Sequence, residues 1–279
     1  MGNRVLPKKD VENIVDEKKR HLELFKRINQ QLTGLGIEYT NKMAGKLFNS
    51  SDYFSLRDSI QYRLKSMMFH LTQLLNINDL LREKVKSGKL NTADLNAIVN
   101  NNTDHLLALF DSIIFHTVSL FDYVGNLIGF ICIGKNKIDL KWNGVINLAD
   151  NKNHKFSKND ISKHLLEHHY KFVNNLYSHR SDIIHYKMDN SDAQISIINK
   201  LTELSYDVYA PEGFVSRFDE LKTLGENYKL TLNYVAFWSI NHTMEIVLST
   251  INDLFHFIEL NRVVPKGKEI FIIRTKPNS

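Results

Sequence analysis

Apolar positions recur along this chain at helical spacing over most of its length. Val11, Val15, Leu22, Phe25 and Ile28 return among charged neighbours, which predicts an amphipathic helix over residues 9–32 ended by "TGLG". Residues 33–51 read as a mixed connection. A long helix is predicted over residues 52–87, where Ile60, Leu64, Met67, Met68, Leu71, Leu74, Leu75 and Leu81 step by three and four and Gly88 stands at a C-terminal cap. "TADLNAIV" predicts a short helix, "NNNT" a break with Thr103 as N-cap. From about 104 to 133 the chain is apolar on most of its helical circumference, so this helix should be central.

Farther on, "KIDLKW" alternates and predicts a short strand. "SKND", with Ser157 and Asp160, resembles a capping box and opens a helix whose inner face is Ile161, Leu165, Phe172 and Leu176, bent near Asn174 and Asn175. "AQISIINKLTELSYDVYAPEG" is richer in Ile, Tyr and Val and reads as a β-hairpin or a pair of strands ended by Pro211 and Gly213. Residues 214–262 return to a helical pattern, with Leu232, Val235, Ser239, Ile246, Ile251, Leu254 and Ile258 inward, and "KEIFIIRT" reads as a last strand. Together these elements predict one mainly α domain over residues 1–279, an up-and-down bundle of four to five long helices. It would carry an N-terminal helical extension over about 9–51 and a β-hairpin over about 193–210.

Composition changes this picture little. The 279 residues are 43% hydrophobic and 24% charged, enough for a substantial core and against wholesale disorder. Four prolines leave room for long helices. The single cysteine, Cys132, permits no internal disulfide and reads as a small hydrophobe, which with the absence of an apolar signal core in "MGNRVLPKKD" points to a cytoplasmic setting. Leu6 stands where a myristoylation signal needs Ser or Thr. Asp111, His116, Asp122 and Asn126 interrupt residues 105–134 and are costly in lipid, so a core helix is expected there and no membrane partner. A net charge of +5 mildly favours a polyanion as partner.

The candidate chemistry centres on "NLYSHRSDIIHYKMD", residues 175–189, which holds Arg180, Ser181, Asp182 and His185. With ten arginines and 12 histidines, chance alone supplies about one Arg/His pair at such spacing. Arg63 and His70 form a second pair, but "LKSMMF" between them reads as helix core. On an ideal helix Arg180 and His185 lie about 140° apart, so they converge only if the helix starts near Arg180 or the arginine swings round. A second feature is the polar strip of His116, Ser119, Asp122 and Asn126 on an otherwise apolar helix, whose members must find partners if buried.

"HRSDIIHYK" resembles the Arg-polar-x-x-x-His signature of the HEPN superfamily of small helical domains, with Ser181 where the family most often has Asn, Asp or His. "SLFDYVGNLIG" is similar to the aspartate-bearing helix of one branch of that superfamily. The resemblance covers about 104–133 and 158–188. It implies a homodimer with two motifs facing each other, and metal-independent RNA cleavage by 2′-hydroxyl attack to a cyclic phosphate. His185 would be the acid/base, Arg180 the phosphate clamp, Asp122 its orienting carboxylate, with Ser181 or Asp182 assisting. Asn126, His116, Lys155 and Lys158 would contact substrate, Lys152 and Lys163 adding to the steering charge. No cofactor is implied; a defence or toxin-like setting with an antitoxin or other protein partner is. Two alternatives stand beside it. In one, Arg180 and Asp122 form a structural ion pair capped by His185, in a non-catalytic module that dimerises or binds a partner or nucleotide. In the other, His164 and His168, at i and i+4 beside Glu167, hold a metal with a third ligand such as His116 or Asp122, although the His-Glu-x-x-His order is absent. No glycine-rich phosphate loop and no Gly-x-Ser-x-Gly elbow is present.

Overall fold

Most of the described residues are helical, as the periodicity predicts. The computed structural model describes residues 9–44, 50–87, 92–134, 139–186, 193–197 and 204–265. Helix α1 spans Lys9–Tyr39 and passes into a π-helical turn, Thr40–Ala44. Helices α2 (Ser50–Lys86) and α3 (Thr92–Ile128) follow, the latter ending in a second π turn, Gly129–Ile133. After α4 (Trp142–Asp150) come a 3-10 turn (Lys155–Lys158), α5 (Asp160–His168), a third π turn (His169–Val173) and α6 (Asn174–Tyr186). Strand β1 (Ala193–Ile197) pairs antiparallel with β2 (Leu204–Val208), Ala193 opposite Val208 and Ile197 opposite Leu204. Helices α7 (Glu212–Val215), α8 (Asp219–Asn227) and α9 (Leu232–Leu260) complete the order.

The chain divides into two compact units. Unit 1 comprises Met1–His21, Arg63–Ser119 and Tyr170–Thr243; unit 2 comprises Leu22–Tyr62, Leu120–His169 and Met244–Ser279. In unit 1 the core is dense in aromatic rings. Phe172 packs within 5.6 Å of the rings of Phe218, Trp238 and His242, and Phe110 meets Phe214 edge-on at 5.1 Å. In unit 2, Trp142 is wholly buried, its ring 5.1 Å from that of Phe121, and its Nε1–H donates to His169 Nδ1 at 3.3 Å.

Of the inward positions expected on α2, Ile60, Leu64, Met67, Leu71, Leu74 and Leu75 are buried, Met68 is half-buried and the Leu81 side chain lies outside the described residues; on α9, Leu232, Val235, Ser239, Ile246, Ile251, Leu254 and Ile258 are buried. So are Ile161, Leu165, Phe172 and Leu176. Leu22, expected inward, is 53% exposed.

Other expectations need correction. "TGLG" does not end α1, because Gly36 serves a close contact rather than a stop: a Cβ there would fall 2.5 Å from the Tyr53 ring, and Tyr53 Oη donates to the Leu32 carbonyl of the same helix. "NNNT" does not break α3; Thr103 is buried within it, ahead of the buried Leu106, Leu107 and Phe110, and packing overrides the weak helix propensity of Asn and Thr. The end of "KIDLKW" is not a strand, since Trp142 opens α4; residues 137 and 138 lie outside the described residues. The capping box of "SKND" is not formed: Asn159 is the N-cap, and Ser157 Oγ donates to the His154 carbonyl instead. "KEIFIIRT" lies outside the described residues.

The π turn after α1 leaves the Lys42 carbonyl open to outside donors. It accepts from both Val263 N–H and Val264 N–H, at 2.8 and 2.9 Å, while Lys42 Nζ pairs with Glu38 and, at 2.6 Å, with Glu259 near the end of α9. These hydrogen bonds to carboxylates raise the pKa of Lys42. Residues Asn101–Ile133 are long and apolar enough to cross a membrane by length and composition alone, with mean hydropathy 1.4, yet half of that apolar window is buried within the protein.

Candidate functional site

In unit 1, α6 is fixed in rotation by Leu176 and His179, one turn apart and both buried. The His179 ring meets Phe214 edge-on at 4.8 Å. Ser181 is therefore exposed, Arg180 and Asp182 are half-buried, and Ile184 is 52% exposed. Backbone α-helix runs unbroken from Asn174 to Tyr186, so Arg180 sits in mid-helix and the helix does not start at the motif. The side chain of His185 lies outside the described residues.

The Arg180 guanidinium lies over the Phe115 ring, 5.5 Å from its centroid, a cation–π contact. Its Nε is buried with no hydrogen-bond acceptor among the described residues. Asp182 forms an ion pair with Arg217, whose Nε is likewise buried without an acceptor. Asn175 Nδ2 donates to the Arg217 carbonyl at 2.7 Å, tying the segment between α7 and α8 to α6. Arg217 has no sequence signal: it stands 35 residues from Asp182.

A second cluster in unit 1 joins residues read separately in the sequence. Arg63 Nη1 donates to His116 Nδ1 at 3.0 Å, and the His70 and His116 rings stack at 5.2 Å and 19°. Arginine has no acceptor, so His116 is neutral with its proton on Nε2. Burial, the Arg63 charge and His70 together lower the pKa of His116; burial lowers that of His70. His70 Nδ1 is buried without a hydrogen-bond partner among the described residues. The Arg63/His70 spacing is thus a functional candidate that "LKSMMF" disguised as core.

This cluster predicts a pH dependence. Both histidines titrate near 6.5 when unfolded and lower when folded. Below that value the unfolded chain binds protons that the folded chain does not, so stability is full above about 6.5 and falls with acid through the unfolded value. Urea midpoints measured between pH 7.5 and pH 5, on wild type and on His116→Gln, check it: the slope should be shallower in the variant.

Unit 2 holds the remaining expected residues. Asp122 and Asn126 are half-buried on the end of α3, and Asn126 Oδ1 is buried with no hydrogen-bond donor among the described residues. The Asp122–Arg180 pair joins residues of different units and stays an expectation. Lys155 and Lys158 are exposed on the 3-10 turn, and Lys152 and Lys163 are exposed near it. His164 is held by a carboxylate, its Nδ1 3.1 Å from Asp253 beside a cavity of about 360 Å³ that His256 and Phe257 also line. Among the described residues no group of three or more His, Cys, Asp or Glu side chains is placed to hold a metal ion. Burial pushes the Cys132 thiol well above its usual range, so it is a poor nucleophile.

The chain matches no family model, no curated protein and no solved structure.

Proposed function

We propose that the protein is a metal-independent endoribonuclease of HEPN type, a cytoplasmic homodimer in which Arg180 clamps the scissile phosphate and His185 moves the proton. The observation that carries this reading is the state of Arg180. It is half-buried and stacked on Phe115, with a buried Nε–H that lacks an acceptor among the described residues. A buried guanidinium N–H without an acceptor is costly, and a phosphate oxygen would satisfy it. Ser181 is open to solvent two positions before the apolar pair Ile183–Ile184, and exposed Ile184 is a residue that a dimer formed across α6 would cover. Asp182 holds Arg217 close to the motif and so keeps a second cation beside it. The helices would form an HEPN-like bundle, with residues 193–210 as a hairpin insertion. A defence or toxin-like setting with an antitoxin partner belongs to the same reading. The second reading, a non-catalytic dimerising or partner-binding module, is supported by the same exposed Ile184.

Incubation of the purified protein with single-stranded RNA in excess chelator tests it. Cleavage should persist in chelator, leave a 2′,3′-cyclic phosphate, and fall by about 100-fold or more in Arg180→Ala and in His185→Ala, the scale of losing an acid/base group or a transition-state donor. Intact RNA with a dimeric wild type would move the protein to the second reading.

A further inference from the structure

We propose that Arg63, His70 and His116 form a phosphate-binding site that seats a phosphodiester of the RNA strand in unit 1, apart from the phosphate taken by Arg180. This rests on the ribonuclease reading for the identity of the ligand, not for the existence of the site.

The geometry is that of an anion cradle made from three nitrogen-bearing groups. The Arg63 guanidinium fixes the His116 ring by donating to Nδ1 at 3.0 Å, which leaves His116 Nε2–H as a donor with a set direction. His70, about two turns along the same face of α2 from Arg63, stacks on that ring at 5.2 Å, and the Phe69 ring meets His70 edge-on at 5.4 Å. The three polar side chains are half-buried, so an anion reaching them would sit in reduced dielectric and not in bulk water. His70 Nδ1 is buried and lacks a partner among the described residues, a vacancy for a proton and an acceptor together.

The charge logic favours an anion. Without one, a proton on either imidazole would stand beside the Arg63 charge and beside the other ring, which is part of why His116 titrates low. A phosphate reverses the sign of that field. It stabilises the protonated form of His70, while His116 stays neutral on the Arg63 donor and gives its Nε2–H, so binding should draw a proton from solvent onto His70. A ligand without charge would gain nothing from this arrangement, and a metal cation would be repelled by Arg63. Phe69, exposed beside His70, offers an apolar face for a base of the same strand.

The test uses the full chain and inorganic phosphate as probe. Imidazole ring resonances of His70 and His116 are followed by NMR at pH 7 during titration with phosphate, with chloride at matched ionic strength as reference. A saturable shift of the His70 ring toward the protonated position is expected, with a saturable shift of the neutral His116 ring on its Nε2 side, both absent with chloride and lost in Arg63→Gln. Arg63→Lys, which keeps the charge but not the planar fork, should bind about tenfold more weakly. Circular dichroism confirms that each variant is folded, and His116→Gln, which still accepts from Arg63, repeats the test for His70 alone if Arg63→Gln is not. Ring resonances that do not move, or that move equally in chloride, overturn the proposal. Phosphate shifts without any RNA cleavage leave this site standing and remove the nuclease. Cleavage that depends on Arg180, with no phosphate shift and no effect of Arg63→Gln on RNA binding by the Arg180→Ala protein, removes this site and leaves the nuclease.

Discussion

Trp142→Ala should lower stability by about 4 kcal/mol, the range seen for deleting a large buried aromatic. Trp142 is the first residue of α4 and has no exposed surface. Truncation removes its edge contact with Phe121 at 5.1 Å and the indole N–H that donates to His169. It also leaves a void that backbone on two sides cannot close: Val145, Ile146 and Ala149 are buried on the same face of α4, and α3 approaches through Gly125. Urea unfolding reads the loss as a lower midpoint with unchanged slope. Trp142→Phe should fall between, keeping one aromatic ring but losing the rest of the indole and the donor. A Trp142→Ala midpoint within error of wild type would mean that the Phe121–Trp142 contact holds nothing.

Gly125→Ala should cost about 3 kcal/mol although it adds one methyl group. In most helices the same change is favourable by up to about 1 kcal/mol, because glycine is the freer residue when unfolded. Here the new Cβ would lie 2.4 Å from the Trp142 nitrogen, 2.7 Å from the Lys141 carbonyl carbon and 2.8 Å from the Trp142 Cα. These are backbone atoms and cannot rotate aside, so α3 and the start of α4 must separate. Gly34→Ala is the matched control: its Cβ meets only Phe255, at an ordinary 3.5 Å, within α1. Thermal unfolding of the two variants should shift in opposite directions.

What the sequence makes legible is what repeats locally. The inner faces of α2 and α9 follow from spacing alone, because every member of such a stripe is buried by the same helix rotation. The α4 helix had the same signal, Trp142, Val145, Ile146 and Ala149 at i, i+3, i+4 and i+7, hidden by the alternation of "KIDLKW" that runs into it. Stop signals were less faithful. Glycine at "TGLG" and asparagine at "NNNT" carry two meanings, a chain break or a close approach, and only tertiary packing chooses between them. The candidate site divides the same way. The helix that bears Arg180 and Asp182 could be read from the motif, as could the same-face spacing of Arg63 and His70. The partners could not: Arg217 lies 35 positions from Asp182, and His116 lies 53 positions from Arg63. Pairings at that range depend on which faces meet, and a short motif does not encode them.

The double acceptor at Lys42 has a dynamic consequence. A chain that leaves its last long helix is ordinarily free to fray, since its backbone N–H groups face water. Val263 and Val264 instead spend theirs on a single carbonyl in the wide turn after α1. Loosening that turn releases both amides at once, and fraying at 263 removes two acceptor bonds from the turn. Residues 40–44 and 263–264, distant in sequence, should therefore open and close as one exchange-protected unit.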